Sequence, residues 1–598
     1  MRQASSARAL ADDLIKIRKA AGISLGALLP AGSPGWWGWA ATWLDRALGI
    51  HTLDGLYRRH GLEGLPPFEF AERALKALDI SVLPIGDSTR LPARGPVLVV
   101  CNHPFGGVEA LALMTLLART RTDIRFLANA GLGVFRELRP LFIATNPLRV
   151  TQRNLASIRQ CDAHLAEGGV LVVFPAGKVS YPAGGGRVAD APWHRLAGHL
   201  ARRTGAALLP VFFHGSNSPL FHRLGAVWNR SRLLMLPREF LGLRGRAVRF
   251  EAGRPVAAET LRHMDAESLT QYARAMTYLI ESPPEPPPEA AAACATPPQA
   301  PLAALNPPAG VAGEVDALPA AQRLLDYKHF SVYHARAAQI PLLMQDIARE
   351  RERVFRLYDE GSGQPRDGDA FDGAYVQLFV WDRQAQSLVG AYRMGRADEL
   401  RAPGGGGTYL ARMFEFDPDF YAGPPMLEMG RSFIVPEHQK NYYALYLLWQ
   451  GIGRYLAAHS HYRRLYGTVS LSRQYDSRAI AFMCQALIEP SPHVRPRHPL
   501  PDRLHPEGRA YLAAQGGRLD LTTLSACVRG IDGKDVPILL KHYHKLGARF
   551  HAVGVDPNFN ATPGLLLSVD MDAMPEKLVA TFLGEHAPAY LAHGKEAG

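Results

Sequence analysis

Two sets of residues in this chain have types and spacings suited to chemistry. The first is the stretch from Val99 to Glu109, VVCNHPFGGVE, in which His103 stands where an apolar run stops and Gly106 and Gly107 turn the chain. An imidazole there can take a proton from an alcohol near neutral pH, and Glu109 lies within about a turn of it. Downstream, FPAGKVS brings Gly177 and Lys178 after another apolar run, and GLGVFRELRP offers Arg136 and Arg139. Lys178 is a point charge able to pair with a carboxylate, with a solvated surface lysine as the competing reading. The second set is Arg351, Phe355, Asp369, Asp372, Arg393, Glu428 and Arg431. Glu428 and Arg431 fall on a strand-like segment three residues apart, which puts them on opposite faces and predicts separate roles.

The elements that must position these groups follow from the apolar patterning. Strand-like runs are expected at Val97 to Cys101, Arg125 to Ala128, Val170 to Phe174 and Ala207 to Phe213, with helices at Leu155 to Glu167 and Ala189 to Thr204. Such alternation is an α/β layered domain, in which ligands sit at strand ends. Farther along, Arg351 and Phe355 share a helix face. Strands are expected around Tyr375 to Trp381, Leu388 to Arg393 and Met426 to Ile434, then a long helix from Tyr442 to Ala458. The organisation reads as a helical region over 1–80, an α/β domain over 81–281, a Pro/Ala-rich linker over 282–320 and a second domain over 321–598.

Composition narrows the class. The 598 residues are 47% hydrophobic and 20% charged, ordinary globular material with no apolar stretch long enough to span a bilayer and no amino-terminal signal pattern. The five cysteines, Cys101, Cys161, Cys294, Cys484 and Cys527, show no metal or disulfide spacing, so no metal is expected and a reducing cytoplasmic location is. Residues 1–280 hold 35 basic and 20 acidic residues, against 32 and 35 in the remainder. That bias suits an anionic membrane surface or an acidic carrier protein, and no motif points to nucleic acid. Trp36, Trp37, Trp39 and Trp43 supply four of the 8 tryptophans in one short stretch. The expectation is a monotopic membrane contact on the inner face of the membrane, with a plain aromatic core as the alternative.

NHPFGG, FPAGKVS and LLPVFFHG, in this order, resemble the motif blocks of lysophospholipid acyltransferases of the glycerolipid acyltransferase superfamily. That family pairs its catalytic His with an Asp five residues on, a position held here by Val108, so the His carries over and the acid does not; Glu109, one residue out of register with a longer side chain, is the candidate for the orienting acid. Ala176 stands where the family's third block usually carries Glu, a departure suggesting an acceptor without a phosphomonoester. The resemblance is also consistent with backbone donors in the turns after Gly106 and Gly177 stabilising a tetrahedral oxyanion.

The second set resembles the acyl-carrier-protein-dependent branch of the GNAT superfamily, in the motif order of N-acylhomoserine lactone synthases and, in the segments around it, the N-acyltransferases of ornithine-lipid synthesis. Ordinary acetyl-CoA enzymes carry a Gln/Arg-x-x-Gly-x-Gly/Ala turn. Here Gln439, Tyr442 and Ala444 hold that register, and a Tyr in the Gly position fits a carrier-protein pantetheine arm better than a pyrophosphate. VPILLKHYHKLGA, with Asp556, Phe559 and Asn560, resembles the tail of the same aminolipid enzymes.

Together the resemblances imply a bifunctional ornithine-lipid synthase: a glycerolipid-acyltransferase-like αβ domain joined to a GNAT-like α+β domain. The GNAT-like half would N-acylate an amino acid from 3-hydroxyacyl carrier protein, Glu428 taking the ammonium proton, with Arg351, Asp369, Asp372, Arg393 and Arg431 on the substrate side. The other half would acylate the new 3-hydroxyl of the lyso-aminolipid through His103, with Lys178, Arg136 and Gly177 as binding residues. No cofactor is implied beyond an acyl carrier protein or acyl-CoA thioester as donor. Two other readings stay open: a glycerophospholipid acyltransferase fused to a homoserine-lactone-like signal synthase, and a lipid- or carrier-binding module without catalysis. No residue names the amino acid.

Overall fold

The computed structural model describes residues 18–19, 22–23, 35–86, 90–129, 135–145, 152–184, 187–227, 231–281 and 299–597. They form two compact units. The first takes residues up to 283 together with 505–516 and 525–533; the second takes 284–504, 517–524 and 534–598. Two stretches of the expected 321–598 domain therefore complete the first unit. There Tyr272 Oη donates to the carbonyl of Ala526 (3.1 Å), and Arg274 pairs with Glu507 (2.8 Å).

The first unit opens with helices, among them α1 (Gly35–Ala47). Trp36, Trp37, Trp39 and Trp43 are 63%, 47%, 73% and 60% exposed, so this helix is no aromatic core. The sheet has seven strands: β1 (Ser81–Ile85), β2 (Val97–Cys101), β3 (Ile124–Asn129), β4 (Phe142–Thr145), β5 (Val170–Val173), β6 (Ala207–Phe213) and β7 (Ala247–Ala252), in the order β1-β7-β6-β2-β5-β3-β4. All neighbours are parallel except β6 and β7. Central β2 reads VLVVC and is buried at every position, the unbroken apolar run of a strand covered on both faces. Helix α2 (Val108–Leu117) follows β2, and α3 (Ala266–Leu279) closes the unit. The expected helix from Ala189 begins only at Leu196, because Arg187–Ala189 pairs as a short strand and Asp190 turns the chain.

The expected linker over 282–320 does not hold through its second part. Residues 282–298 lie outside the described residues, but 299–320 are folded. Helix α4 (Pro308–Asp316) buries Val311, Ala312 and Val315. The carboxylate of Glu314, on α4, accepts from the amides of Leu342 (2.9 Å) and Leu343 (2.9 Å), the first turn of α5 (Pro341–Arg356). The second sheet has eight strands: β8 (Arg323–Tyr327), β9 (Phe330–Arg336), β10 (Val376–Asp382), β11 (Ser387–Arg396), β12 (Met426–Ile434), β13 (Arg464–Ser470), β14 (Arg549–Asp556) and β15 (Thr562–Asp570). Their order is β8-β9-β10-β11-β12-β13-β15-β14, antiparallel except for the β12–β13 pair. Helices α5 and α6 (Tyr442–Ala458) pack on this sheet.

Cys101, Cys161, Cys484 and Cys527 are buried and unbridged, and Cys294 lies outside the described residues. Among the described residues no helix is long and apolar enough to cross a membrane.

Candidate functional site

In the first unit the chemistry gathers at the carboxyl end of β2. Asn102 extends the β2–β6 ladder with its side chain, donating to the carbonyl of Phe213 (2.9 Å) and accepting from its amide (2.7 Å). His103 follows, its ring against Phe174 at 4.4 Å between centroids. The turn after it is tight. Gly106 has φ +90°, and a Cβ there would lie 2.6 Å from Leu236 and 2.9 Å from Val179.

Glu109, fully buried in the first turn of α2, reaches back under this turn. Its Oε1 accepts from the amides of Phe105 (2.6 Å) and Gly106 (3.1 Å), and its Oε2 from Gly107 (2.8 Å). Oε1 also lies 3.4 Å from Nδ1 of His103, an ion-pair contact longer than a good hydrogen bond. Burial works against the charged forms of both partners. The opposite charge and the contact between the pair outweigh it in each case, raising the His103 pKa, with help from Asp190, and lowering that of Glu109, to which the amides of Phe105 and of Glu109 itself also contribute. With Nδ1 turned to a carboxylate, Nε2 is the nitrogen left to take a proton.

Asp190, which the sequence reading missed, fixes the backbone of His103. Its Oδ1 accepts from the His103 amide (3.2 Å) and from Ser180 Oγ (2.5 Å), its Oδ2 from Trp193 Nε1 (2.9 Å), and its own amide donates to Tyr278 Oη (2.8 Å). Arg274 holds the carbonyls of Asp190 (3.0 Å) and Ala191 (2.6 Å). Its sequence signal is weak: one Asp at the close of a short hairpin, inside a stretch that reads as helix.

Several amides in and beside the expected oxyanion turns are already engaged. The amides of Phe105, Gly106 and Gly107 are held by Glu109, and that of Gly177 donates to the carbonyl of Phe174 (3.0 Å). Gly177 and Lys178 are exposed on the loop whose Ser180 amide donates to the His103 carbonyl (2.9 Å). Arg136 is exposed on a short helix, Arg136–Leu141, anchored through Glu137 to Tyr57 (2.7 Å). Among the described residues no hydrogen bond or ion pair joins Arg136 or Lys178 to the histidine cluster.

The second unit carries a denser cluster. Arg351, wholly buried on α5, donates from Nη1 and Nη2 to Asp372 (3.1 and 3.0 Å), and its Nε lies 2.9 Å from Asp367. Arg393 on β11 binds Asp369 (2.6 Å) and Asp372 (3.0 Å). Arg431 on β12 lies 3.2 Å from Asp367 and donates to Tyr409 Oη (3.0 Å), which in turn donates to Asp556 (2.5 Å). Asp367 was not anticipated, although it stands two residues before Asp369. The paired guanidinium groups hold Asp372 at about 2, against the burial that would raise it. Phe355 meets Phe559 edge to face at 4.9 Å, and Arg431 lies over the Phe559 ring.

Glu428 and Arg431 were expected on opposite faces, and here the structure differs. Arg393 pairs with Gly430 while Ala391 pairs with Phe433, so β12 carries an extra residue, and Arg431 takes φ +53°. This bulge resets the alternation and brings Arg431 to Tyr409, whose amide donates to the Tyr375 hydroxyl that binds Glu428. Glu428 Oε1 accepts from Tyr375 Oη (3.0 Å) and the amide of Leu410 (3.3 Å), and Oε2 from Tyr466 Oη (3.2 Å), while the Tyr409 amide donates to Tyr375 Oη (2.8 Å). Burial pushes the Glu428 carboxyl up to about 7, outweighing the two phenols and the charge of Arg393.

On the other face of the sheet Met429, Trp449, Leu567, Val569 and Phe582 line a small apolar pocket of about 50 Å³, while the Tyr466 ring packs on Phe416, Phe420 and Tyr421. At the start of α6 the Tyr443 amide donates to the side chain of Asn441 (3.0 Å), so that turn amide is already capped. One His/acid group among the described residues has metal-ligand spacing, Asp417, Asp419 and His493. It is largely exposed, and Asp417 already caps the amide of Asp419 (2.9 Å).

With both sites in view, comparison with known proteins is informative. Residues 27–283 match an acyltransferase family model, and residues 351–450 match the acetyltransferase (GNAT) domain model. Glycine N(alpha)-acyltransferase of Bacteroides thetaiotaomicron is 26% identical over 291 residues, 45% of this chain and 86% of that one. L-ornithine N(alpha)-acyltransferase of Rhodobacter capsulatus is 31% identical over 218 residues, 35% of this chain and 77% of that one. Lyso-glycine lipid O-acyltransferase of Phocaeicola vulgatus is 28% identical over 199 residues, 32% and 70%. The chain is an acyltransferase, a mixed α/β protein with an acyltransferase domain ahead of a GNAT domain, and it belongs to the family of the L-ornithine N(alpha)-acyltransferase.

Proposed function

We propose that this chain makes a doubly acylated amino-acid lipid, ornithine lipid, in two steps that run backwards along the sequence. In the GNAT domain the ionised Glu428 takes the ammonium proton of the amino acid. The neutral amine attacks the carbonyl of a 3-hydroxyacyl thioester on acyl carrier protein, the C–N bond forms, the C–S bond breaks and the thiol leaves with a proton. In the first unit Nε2 of His103 takes the proton of the new 3-hydroxyl, the alkoxide attacks a second acyl thioester, and the imidazolium returns the proton to the departing sulfur. Glu109 stabilises that imidazolium, and neither step requires a metal.

One observation carries this reading. Glu428 is enclosed in the GNAT domain, held by the hydroxyls of Tyr375 and Tyr466 on the same sheet face as the Arg393 guanidinium, and burial pushes its carboxyl up to about 7, which suits a proton acceptor near neutral pH. The membrane supplies the lyso-lipid, and α1, with its four exposed tryptophans, is the surface that meets it on the inner, cytoplasmic face.

Lipid extracts of a host expressing the chain test the scheme. The intact protein should give a new ninhydrin-positive diacylated lipid, His103→Ala should give the monoacylated lyso-lipid alone, and Glu428→Ala should give neither. Normal lyso-lipid from the Glu428 variant would overturn the assignment of the base.

A further inference from the structure

The mechanism leaves one buried acid in the GNAT domain without a task. Glu360 follows α5 after Asp359, which adopts φ +58° and whose carbonyl accepts from Asn560 Nδ2 (2.8 Å); the Glu360 amide is tied to the Phe355 carbonyl (3.0 Å). The turn is thus fixed from both sides. The Glu360 carboxyl is buried, and its Oε2 accepts one hydrogen bond, from Ser470 Oγ (3.0 Å). Among the described residues no Lys, Arg or His forms an ion pair with it. Arg431 acts on it through its charge, but the Arg431 guanidinium already faces Asp367 and Tyr409. Burial pushes the carboxyl up to about 7, Ser470 and Arg431 working against that and Asp359 adding to it. A buried carboxyl with a single neutral donor is costly to ionise, and a cation brought by a ligand would remove that cost.

Glu360 and the proton acceptor are also held by side chains of one strand. Glu428 is hydrogen-bonded to Tyr466 and Glu360 to Ser470, four residues apart on β13 and therefore on one face. The two side chains that hold these carboxyls leave the strand about 13 Å apart. An amino acid with a terminal amine on a three-carbon side chain places its two nitrogens about 6 Å apart when extended, and a hydrogen bond at each end brings the reach to about 12 Å. We infer that Glu360 receives the side-chain ammonium of a basic amino acid while Glu428 receives the α-amine, which makes Glu360 the residue that selects ornithine over glycine. This inference rests on the amino-acid N-acylation proposed above.

The test uses the full chain with 3-hydroxyacyl carrier protein and a series of amino acids: glycine, norvaline, 2,4-diaminobutyrate, ornithine and lysine. Norvaline is ornithine without its side-chain amine. The intact protein should favour ornithine over norvaline by at least about 100-fold in kcat/KM, most of it in KM. In Glu360→Gln the ornithine-to-norvaline ratio should fall by about the same factor, and Glu360→Asp should restore part of it. Norvaline or glycine acylated within a few-fold of ornithine by the intact protein would overturn the inference while leaving the N-acylation standing. An equal loss for all amino acids in Glu360→Gln, with the ratio unchanged, would overturn it too by showing a structural role. No N-acyl product from any amino acid would instead sink the reading on which it rests.

Discussion

Glu109 and Glu428 are both fully enclosed glutamates beside the group that their unit offers for catalysis, yet they have been driven in opposite directions. Three backbone amides and an imidazole surround Glu109, and its pKa is lowered. Two phenols and one long amide contact surround Glu428, and its pKa rises to about 7. Burial is the common term and pushes both upward. The donors and the adjacent charge decide the outcome. A carboxylate wrapped by amides stays ionised and orients a base, whereas a carboxyl held by weak neutral donors is itself adjusted to take a proton.

Substituting each by glutamine is the strongest way to break this contrast. Glu109→Gln removes a charge that three amides and His103 expect, so thermal unfolding should show a loss of about 3 kcal/mol and O-acylation should fall at least about 100-fold. Glu428→Gln removes a carboxyl that burial disfavours in its charged form. Its unfolding temperature at pH 8 should hold or rise while N-acylation falls by about 100-fold or more. Equal destabilisation by both would mean that the two environments do not differ as described.

The pH dependence should separate them next. Between the ordinary carboxyl value and about 7, folded Glu428 holds a proton that the unfolded chain has released, so this group lowers stability as pH rises through that window. Glu109 has the opposite sign. Its contribution is present above the ordinary value and is lost as acid protonates it in the folded state. N-acylation kcat/KM should accordingly climb through about pH 7 in the intact chain. Unfolding scans over pH 5–8 should show a decline that is shallower in Glu428→Gln, and a profile identical to the intact chain would break the assignment.

A smaller effect is expected at Asp190. Asp190→Asn keeps the shape but exchanges an acceptor for a donor facing Ser180 or Trp193, loosening the backbone of His103 rather than removing the base. O-acylation should drop about tenfold, mostly in kcat, with N-acylation unchanged, as assays of the two half-reactions would show.

These sites differ in how far the sequence reveals them. β2, β6, β12 and α6 begin and end where their apolar patterns do, because a central strand or a packed helix writes its burial into consecutive residues. His103 and Glu109 are likewise legible, since both sit within one turn of a strand end. The arrangement around Glu428 is not. The bulge at Arg431 is set by pairing with β11, 38 residues upstream at Arg393, and no local residue marks it. Asp190 and Asp367 earn their positions through partners distant in the chain and look locally like surface acids. Helix α4 was legible and missed: Pro308 at its start and the apolar Val311, Ala312 and Val315 form a helical stripe within a Pro/Ala-rich composition.

The mildest effect concerns where each unit meets its substrate. In the proposed scheme the amino acid and the carrier-bound thioester are water-soluble while the lyso-lipid resides in a bilayer, so the scheme calls for a membrane surface at the first unit alone. Its helix α1 exposes Trp36, Trp37, Trp39 and Trp43 to solvent, an arrangement that leaves apolar area uncovered unless a bilayer takes it. Replacing Trp36, Trp37 and Trp39 by Ala should reduce flotation with anionic liposomes by about tenfold, equivalent to the partial burial of one large side chain. O-acylation of lyso-lipid presented in vesicles should fall in parallel, O-acylation of the same lipid in detergent should fall by less, and N-acylation should not change. Unaltered flotation, or an equal loss in both half-reactions, would show that the tryptophans serve something other than delivery of the first unit to lipid.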